Sequence, residues 1–413
     1  MSEPILVIGG GPAGMMAALR ACEIKPSCAW ILERNTSLGR KLGLTGKGRC
    51  NLTNDASIED FCGRFGRNGV FLRNVFSRFF ASDLIAFFEA RGLSMKTERQ
   101  GRVFPSTDSS ASVLSVLETA LKTLSVEVRK GQRVKQIKRQ EGSWLVFLED
   151  GQTLKAEKVI VATGGASYPQ TGSTGDGLMF ARELGHSVVP LSAGLVPLES
   201  GERFIRQLQG LTLKNIRVTF SSGSRSLETP VGELLFTHFG VSGPLVLDHS
   251  GLINEWLKKA QVRLRVDLKP GLSEEQLGKK LQMELPAAAS AKVCNYFKEL
   301  LPQRLIDVVL EQADVDGQKK CHQVTQQERK RLVVRLKSFE FCVHKARPLE
   351  EAMVTCGGVS LKEINPKTME SRLAPGIYFC GEVLDLAASS GGFNLQAAFS
   401  TGYAAGEAAA LSL

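Results

Sequence analysis

Near the N-terminus the apolar residues form a short unbroken run, Ile5-Leu6-Val7-Ile8. A turn without apolar bulk follows, Gly9-Gly10-Gly11-Pro12-Ala13-Gly14, and then a helical stretch from Met15 to Ala21. A second run, Ala29-Trp30-Ile31-Leu32, ends at the acidic Glu33. Runs of this length predict strands buried on both faces, as in a parallel sheet covered by helices. After a long loop, Arg34–Asn54, helical patterns are predicted over Val70–Phe80, Ser82–Arg91 and Ser109–Leu124. The last opens on Ser and Asp residues that can cap free N–H groups. Short strands are predicted around Val126–Val128, Val134–Lys138 and Trp144–Leu148, with Asp150-Gly151 as a hairpin turn. Lys158–Ala162 reads as a buried strand running into Thr163-Gly164-Gly165.

From about residue 191 the pattern changes. Leu211–Phe220 and Gln261–Leu268 alternate with the period of two that marks a half-buried strand, and Ser221–Ser224 reads as a turn. Residues 273–337 read as helices, with starts at Ser273 and Pro302 and an exposed loop at Asp314–Gly317. The α/β texture then returns. Gly376–Gly381 is a strand running into a turn, Ser389–Gly392 is a tight turn, and Asn394–Leu411 is an Ala-rich helix. One nucleotide-binding domain is therefore expected from both chain ends, with an insertion between them.

Composition narrows the class. The chain has 413 residues, 43% hydrophobic and 23% charged, which is ordinary for a globular protein of two or three domains. No run of eighteen apolar residues occurs, so no membrane span is expected. The first apolar stretch has no basic leader and contains a glycine turn, so it reads as strand and helix, not as a signal peptide. Nine scattered cysteines without a CxxC pair predict reduced thiols and a cytoplasmic protein, with no zinc ribbon and no metal site. The net charge of +10 suits anionic partners. The best nucleic-acid candidate is Gln318–Lys337, although Leu332, Val333 and Leu336 also make it an amphipathic helix with a solvated face. Nucleic acid is accordingly not expected as a partner, and a small-molecule substrate is.

The opening turn has the spacing of a dinucleotide-binding fingerprint, with Glu33 following Gly14 by 19 positions. Gly9 permits the tight turn, Gly11 lets backbone approach a pyrophosphate, and Gly14 lets helix and strand pack closely. The helix start offers free N–H groups to phosphates, and Glu33 is placed for a ribose hydroxyl. Two further signals point to FAD. One is the strand ending in Ala162-Thr163-Gly164. The other is the Gly381-Glu382 turn, followed by a glycine pair and a helix. Gly391, Gly392, Phe393, Asn394 and Leu395 would place a helix N-terminus at the pyrimidine edge of a flavin. There it favours the negative charge of the reduced ring by about 0.3–1 kcal/mol, or up to ~2 when partly buried. The loop Leu38–Asn54, with four glycines and four cations, can wrap anionic and planar groups. A solvated basic loop is the alternative.

GRKLGLTGKGRCNLTN (39–54), ATGGASYPQTGSTGDG (162–177), LLFTHFGVSGP (234–244), CGGVS (356–360) and GEVLDLAASSGGFNLQAAFSTGYAAG (381–406) together resemble one family. It is the bacterial flavoproteins grouped with 3-dehydro-bile-acid Δ4,6-reductase and aminoacetone oxidase, and the resemblance spans essentially the whole chain. It implies an α/β fold, a Rossmann-like two-dinucleotide-binding-domain flavoprotein with an inserted β-barrel domain and a helical domain. The implied boundaries are 1–190 with 346–413 for FAD binding, 191–270 with 338–345 for the barrel, and 271–337 for the helices. By motif, FAD would contact Gly9, Gly11, Ala13, Gly14, Glu33, Arg40, Lys41, Cys50, Asn51, Val134, Thr163 and Gly164. Gly381, Glu382, Asn394 and Leu395 would hold its ribityl and ring end. Leu-Thr-Gly-Lys (44–47) departs from the Ser-Gly that many relatives have there.

For proton transfer the candidates are His238, in Thr237–Pro244, and Tyr168, after Ala-Thr-Gly. The cations around Cys50 are expected to lower its thiol pKa. No second strand-GxGxxG-helix unit exists, so NAD(P)H would dock transiently. The leading expectation is an FAD-dependent oxidoreductase moving hydride through flavin N5, with NAD(P)H-linked reduction of an activated C=C bond. The alternatives are an amine oxidase of the aminoacetone type using O2, and an RNA-binding or RNA-modifying flavoprotein.

Overall fold

In the computed structural model, which describes residues 3–413, the apolar runs from both ends of the chain form one parallel sheet. Ile5–Ile8 (β1), Ala29–Glu33 (β2), Glu127–Lys130 (β3), Lys158–Val161 (β4) and Ile377–Phe379 (β5) pair in the order β5-β4-β1-β2-β3. Ile8 lies opposite both Leu32 and Val161, and Val161 lies opposite Phe379. The carboxyl ends of β1, β4 and β5 are therefore adjacent. The loops that leave them open on one edge, where α/β sheets hold ligands.

Two helices cover the sheet. Pro12–Ile24 (α1) follows the opening turn, and Phe393–Leu411 (α2) is the Ala-rich helix. They cross with almost no side chain between them. A Cβ on Gly402 would fall 2.2 Å from the Ala13 carbonyl oxygen, and one on Gly406 would fall 2.1 Å from that of Ala17. The two glycines, one turn apart, let the backbones touch.

The chain divides into two compact units, one of residues up to Gly194 with Leu349–Leu413, the other Leu195–Pro348. In the second, the expected β module is an eight-stranded antiparallel sheet. Its path runs Phe339–Val343, Val262–Asp267, Thr212–Ser222, Gly232–Phe236, Gly240–Ser242, Leu198–Glu199, Lys345–Ala346, with Arg225–Glu228 on Thr212–Ser222. Val262, Leu264 and Val266 are buried while Arg263 and Arg265 are exposed, as the alternation requires. Ser273 caps Glu274–Ala287 in a reciprocal box with Gln276, at 3.1 and 2.9 Å. Pro302 precedes Gln303–Gln312.

Three local expectations are corrected. Val70–Phe80 is not one helix but a 3-10 turn, Gly66–Leu72, followed by a single α turn, Arg73–Phe76. Gly69 sits against the Cys62 carbonyl, with room for no Cβ. Phe80 is extended and its N–H binds Asp83 Oδ2 at 2.8 Å to start Ala81–Glu89. Ser109 occupies the N-cap of Ser110–Thr123 without a side-chain bond. The Ser110 hydroxyl donates to the Gly43 carbonyl instead, at 3.0 Å. Finally, strand pairing continues through Ser222, so the hairpin turn is only Gly223-Ser224.

Candidate functional site

The β1–α1 turn is shaped by what its glycines exclude. Gly9 has φ +107, and a Cβ there would lie 2.5 Å from the Ala162 carbonyl; one on Gly14 would lie 1.9 Å from the Gly9 carbonyl. Gly11 meets nothing within 4 Å. Its bare backbone faces open space at the start of α1, where no side chain caps the free N–H groups. This cradle fits a diphosphate. Glu33, only 7% exposed, is fixed at the edge of the turn. Its Oε2 accepts from Gly10 N–H at 2.8 Å, and its Oε1 from the Asn35 backbone and amide at 2.8 and 2.7 Å. Oε2 keeps a free lone pair for a hydroxyl donor.

Two of the four cations of the glycine-rich loop, Lys41 and Arg49, are engaged in ion pairs. Lys41 Nζ lies 2.6 Å from Glu382 Oε2 and 2.7 Å from Ser167 Oγ. Glu382 Oε1 also accepts from the Thr355 N–H at 2.8 Å and the Ser167 hydroxyl at 3.1 Å. Thr355 Oγ1 in turn accepts from the Ala166 and Ser167 N–H groups at 2.9 and 3.1 Å. Arg49 pairs with Glu98 and Asp108 and lies over the Phe104 ring. Cys50 is fully buried, and burial pushes its thiol up to about 12 despite a hydrogen bond from Thr45. The expected activated thiol is therefore absent, because burial dominates and Arg40, Lys41 and Arg49 are drawn to Asn35, Glu382 and Glu98.

The same loop holds the C-terminal turn. Gly391 and Gly392 have φ +126 and +96, and a Cβ on Gly392 would strike the Thr53 carbonyl at 2.3 Å. Asn54 Nδ2 donates to the Gly391 carbonyl at 3.0 Å. The Asn51 amide, oriented as its neighbours require, accepts from Gly392 N–H at 3.0 Å. The Asn394 side chain folds back on Ala388, accepting from its N–H at 2.9 Å and donating to its carbonyl at 3.0 Å. Gly392 has no capping side chain, so the start of α2 is open.

One cavity takes in most of the expected residues. Gly9, Gly11, Ala13, Glu33, Arg40, Lys41, Val134, Thr163, Gly164, Gly381, Glu382, Asn394 and Leu395 all line it. Gly14, Cys50, Asn51, Gly391, Gly392 and Phe393 lie off its wall and shape the backbone behind it. The Thr163 hydroxyl is buried without a hydrogen-bond partner among the described residues, an orphan that a bound ligand would satisfy. Sequence reasoning missed Arg34, Arg133 and Asp176. Burial opposes the Asp176 charge, but Arg133 and Arg34 outweigh it and hold the carboxyl below its usual range. Arg34 directly follows Glu33 and Asp176 sits in the GSTGDG run, the two signals available. Ser167 and Thr355 gave none.

Tyr168 stands outside the cavity wall in the left-handed region, φ +52, directly before Pro169. A bulky residue there stores on the order of 1–3 kcal/mol of strain. His238 belongs to the other unit, with its ring edge-on to Phe239 at 4.8 Å. Four of the seven Lys and Arg side chains of the basic stretch 318–337 are engaged within the protein. Arg331 and Arg335 donate to the carbonyls of Ala313, Asp314 and Gln312, closing the end of helix Gln303–Gln312, and Lys319 and Lys337 pair with Glu328 and Asp267.

A model of the HI0933-like protein Rossmann domain matches residues 3–408. The chain is 33% identical to 3-dehydro-bile acid delta(4,6)-reductase of Clostridium scindens, over 98% of each chain. It is 29% identical to the ribosomal RNA dihydrouridine synthase of Haemophilus influenzae, over 97% of this chain and 96% of that one. Among solved structures, the open conformation of a flavocytochrome c3 fumarate reductase aligns with a TM-score of 0.55 at 17% identity, covering 99% of this chain and 78% of the other. That likeness shows the fold.

Proposed function

The chain belongs to the HI0933-like family of Rossmann-domain proteins, and from that premise we propose an FAD-dependent oxidoreductase that saturates a C=C bond conjugated to a carbonyl, with NAD(P)H as electron source. The observation that carries this reading is the single cavity reaching from the bare backbone of Gly11 to the residues at the start of α2. Gly9–Gly11 and the α1 N-terminus would hold the diphosphate, Glu33 the ribose, and Arg40 and Val134 the adenine end. Asn394 and Leu395 would meet the ring, and Thr163 would give its unsatisfied hydroxyl to the cofactor. When bound, FAD supplies a ring nitrogen that takes and gives hydride.

The names of two relatives share one piece of chemistry. Both a delta(4,6)-reductase of a 3-dehydro bile acid and a dihydrouridine synthase concern two hydrogens across a C=C bond conjugated to a carbonyl. Such a bond takes hydride at its far carbon and a proton at the carbon beside the carbonyl. Within the unit that holds the cavity, the proton-donor candidate is Tyr168, on the loop after β4. The open start of α2 favours negative charge next to it, and the Lys41–Glu382 pair fixes the part of the wall on which the ring end would rest.

Anaerobic titration tests this. NADH or NADPH should bleach the yellow holoprotein, and a steroid dienone or a uridine-containing RNA should restore the colour with its C=C bond reduced. A flavin that no pyridine nucleotide bleaches overturns the reading, and peroxide formed from an aminoketone would mark an oxidase instead. The RNA form of the reading rests on the net charge of +10 and on the 29% identity to the dihydrouridine synthase, against 33% to the bile acid reductase.

A further inference from the structure

We propose that Arg64, Arg67 and Arg73 form a docking face for the sugar-phosphate backbone of an RNA strand whose reacting base enters the cavity. The proposal rests on the RNA form of the reading above. The three arginines lie within a short helical hairpin, Ile58–Arg64 followed by Gly66–Leu72 and Arg73–Phe76. Gly69 folds that hairpin shut on Cys62, since a Cβ there would fall 1.8 Å from the Cys62 carbonyl oxygen. All three side chains are exposed. None makes an ion pair among the described residues, whereas Arg49 and Arg78 nearby in sequence do. The carboxylates closest in sequence to Arg64 and Arg67 are Glu59 and Asp60, and to Arg73 Asp83; Asp60 accepts from the Ser57 hydroxyl at 2.8 Å and Asp83 from the Phe80 N–H at 2.8 Å.

The hairpin borders the end of the cavity lined by Leu386, Asn394 and Leu395. The Arg64 guanidinium lies 5.2 Å over the Phe393 ring, next to the lining residues Asn394 and Leu395. Asn68 Nδ2 donates to the Asp385 carbonyl at 2.7 Å and its carboxylate at 3.0 Å, one residue before the lining Leu386. Yet no arginine of the three reaches the cavity wall. A nucleotide contained in the cavity would leave them unused. A chain of phosphodiesters that continues outward from a base held inside would meet all three.

Salt dependence reads the face directly, because each neutralised phosphate of a single strand contributes about −0.7 to the slope of log K against log salt. The probe is a labelled single-stranded ribosomal RNA fragment, titrated with the holoprotein by fluorescence anisotropy. R67A/R73A, which leaves the Arg64–Phe393 contact intact, should weaken binding at least about tenfold and flatten the slope by about 1.4. R67K/R73K should restore both, and flavin absorbance and thermal midpoint should match the parent. If the parent binds but R67A/R73A changes neither affinity nor slope, the face is overturned while the RNA reading stands. If the parent retains no RNA at any salt, both fall.

Discussion

Thr355 ties the loop after β4 to the Lys41–Glu382 pair. Thr355 Oγ1 receives two backbone N–H groups of the loop after β4, and its own N–H fixes the carboxylate that holds Lys41. Thr355→Val keeps the shape but strands both donors in a buried setting, which costs about 1–3 kcal/mol. Denaturant midpoints should fall accordingly and flavin should dissociate faster. An unchanged midpoint would show that water replaces the hydroxyl. Lys41 and Glu382 were legible from their motifs, but only as separate cofactor contacts. That they bind each other was not, because an ion pair between residues so far apart in sequence leaves no periodic trace. Ser167 and Thr355 were invisible for a related reason, since small polar residues inside apolar strands and glycine loops look like filler. Cys50 misled because nearness in sequence to cations says nothing of where their heads point.

At the scale of elements, continuous apolar runs and glycine spacing were enough to locate β1, β2, β4, β5 and both covering helices. Amphipathic patterns were less faithful where glycines intervene, as in Gly66–Leu72, because steric contact at Gly69 dictates the backbone there and hydrophobic period does not. The Ala-rich composition announced α2 but not its partner. The crossing with α1 rests on Gly402 and Gly406, whose missing side chains let carbonyls of α1 approach to contact distance. Gly406→Val forces the helices apart at a point with no compressible side chain. Overpacking of this kind typically costs about 1–3 kcal/mol and occasionally more. Because α1 also presents the diphosphate cradle, the variant should lose thermal stability and flavin affinity together. A variant that loses stability yet binds flavin as tightly as the parent would mean that the turn is held independently of the crossing.

At the scale of the whole unit, β5 and α2 must return to strands laid down near the N-terminus, and several clasps hold that return. One is His186, fully buried, with Nδ1 3.2 Å from Glu363 Oε2 and Nε2 2.8 Å from the Ser371 hydroxyl. The arrangement has the look of a hydrolytic triad, but Ser371 Oγ already accepts from the Leu373 and Ala374 N–H groups and borders no part of the cavity. Its role is structural. Burial holds the imidazole below its ordinary pKa of 6.5, although Glu363 pulls the other way. The unfolded chain therefore takes up a proton near pH 6.5 that the folded protein refuses. The clasp contributes fully above that pH and loses ground as pH falls through 6.5 toward the lower folded value. Unfolding midpoints measured from pH 7.5 to 5 should decline in the parent and flatten in His186→Gln; parallel curves would remove the imidazole from the account. The parallel order β5-β4-β1-β2-β3 has one more consequence, for biosynthesis. Until Ile377–Phe379 and Phe393–Leu411 have been translated, the nascent protein lacks an edge strand of its sheet and the helix whose start lines the cavity. The yellow colour should accordingly appear only after α2 has left the ribosome, and a chain stalled before β5 should emerge as a client for chaperones.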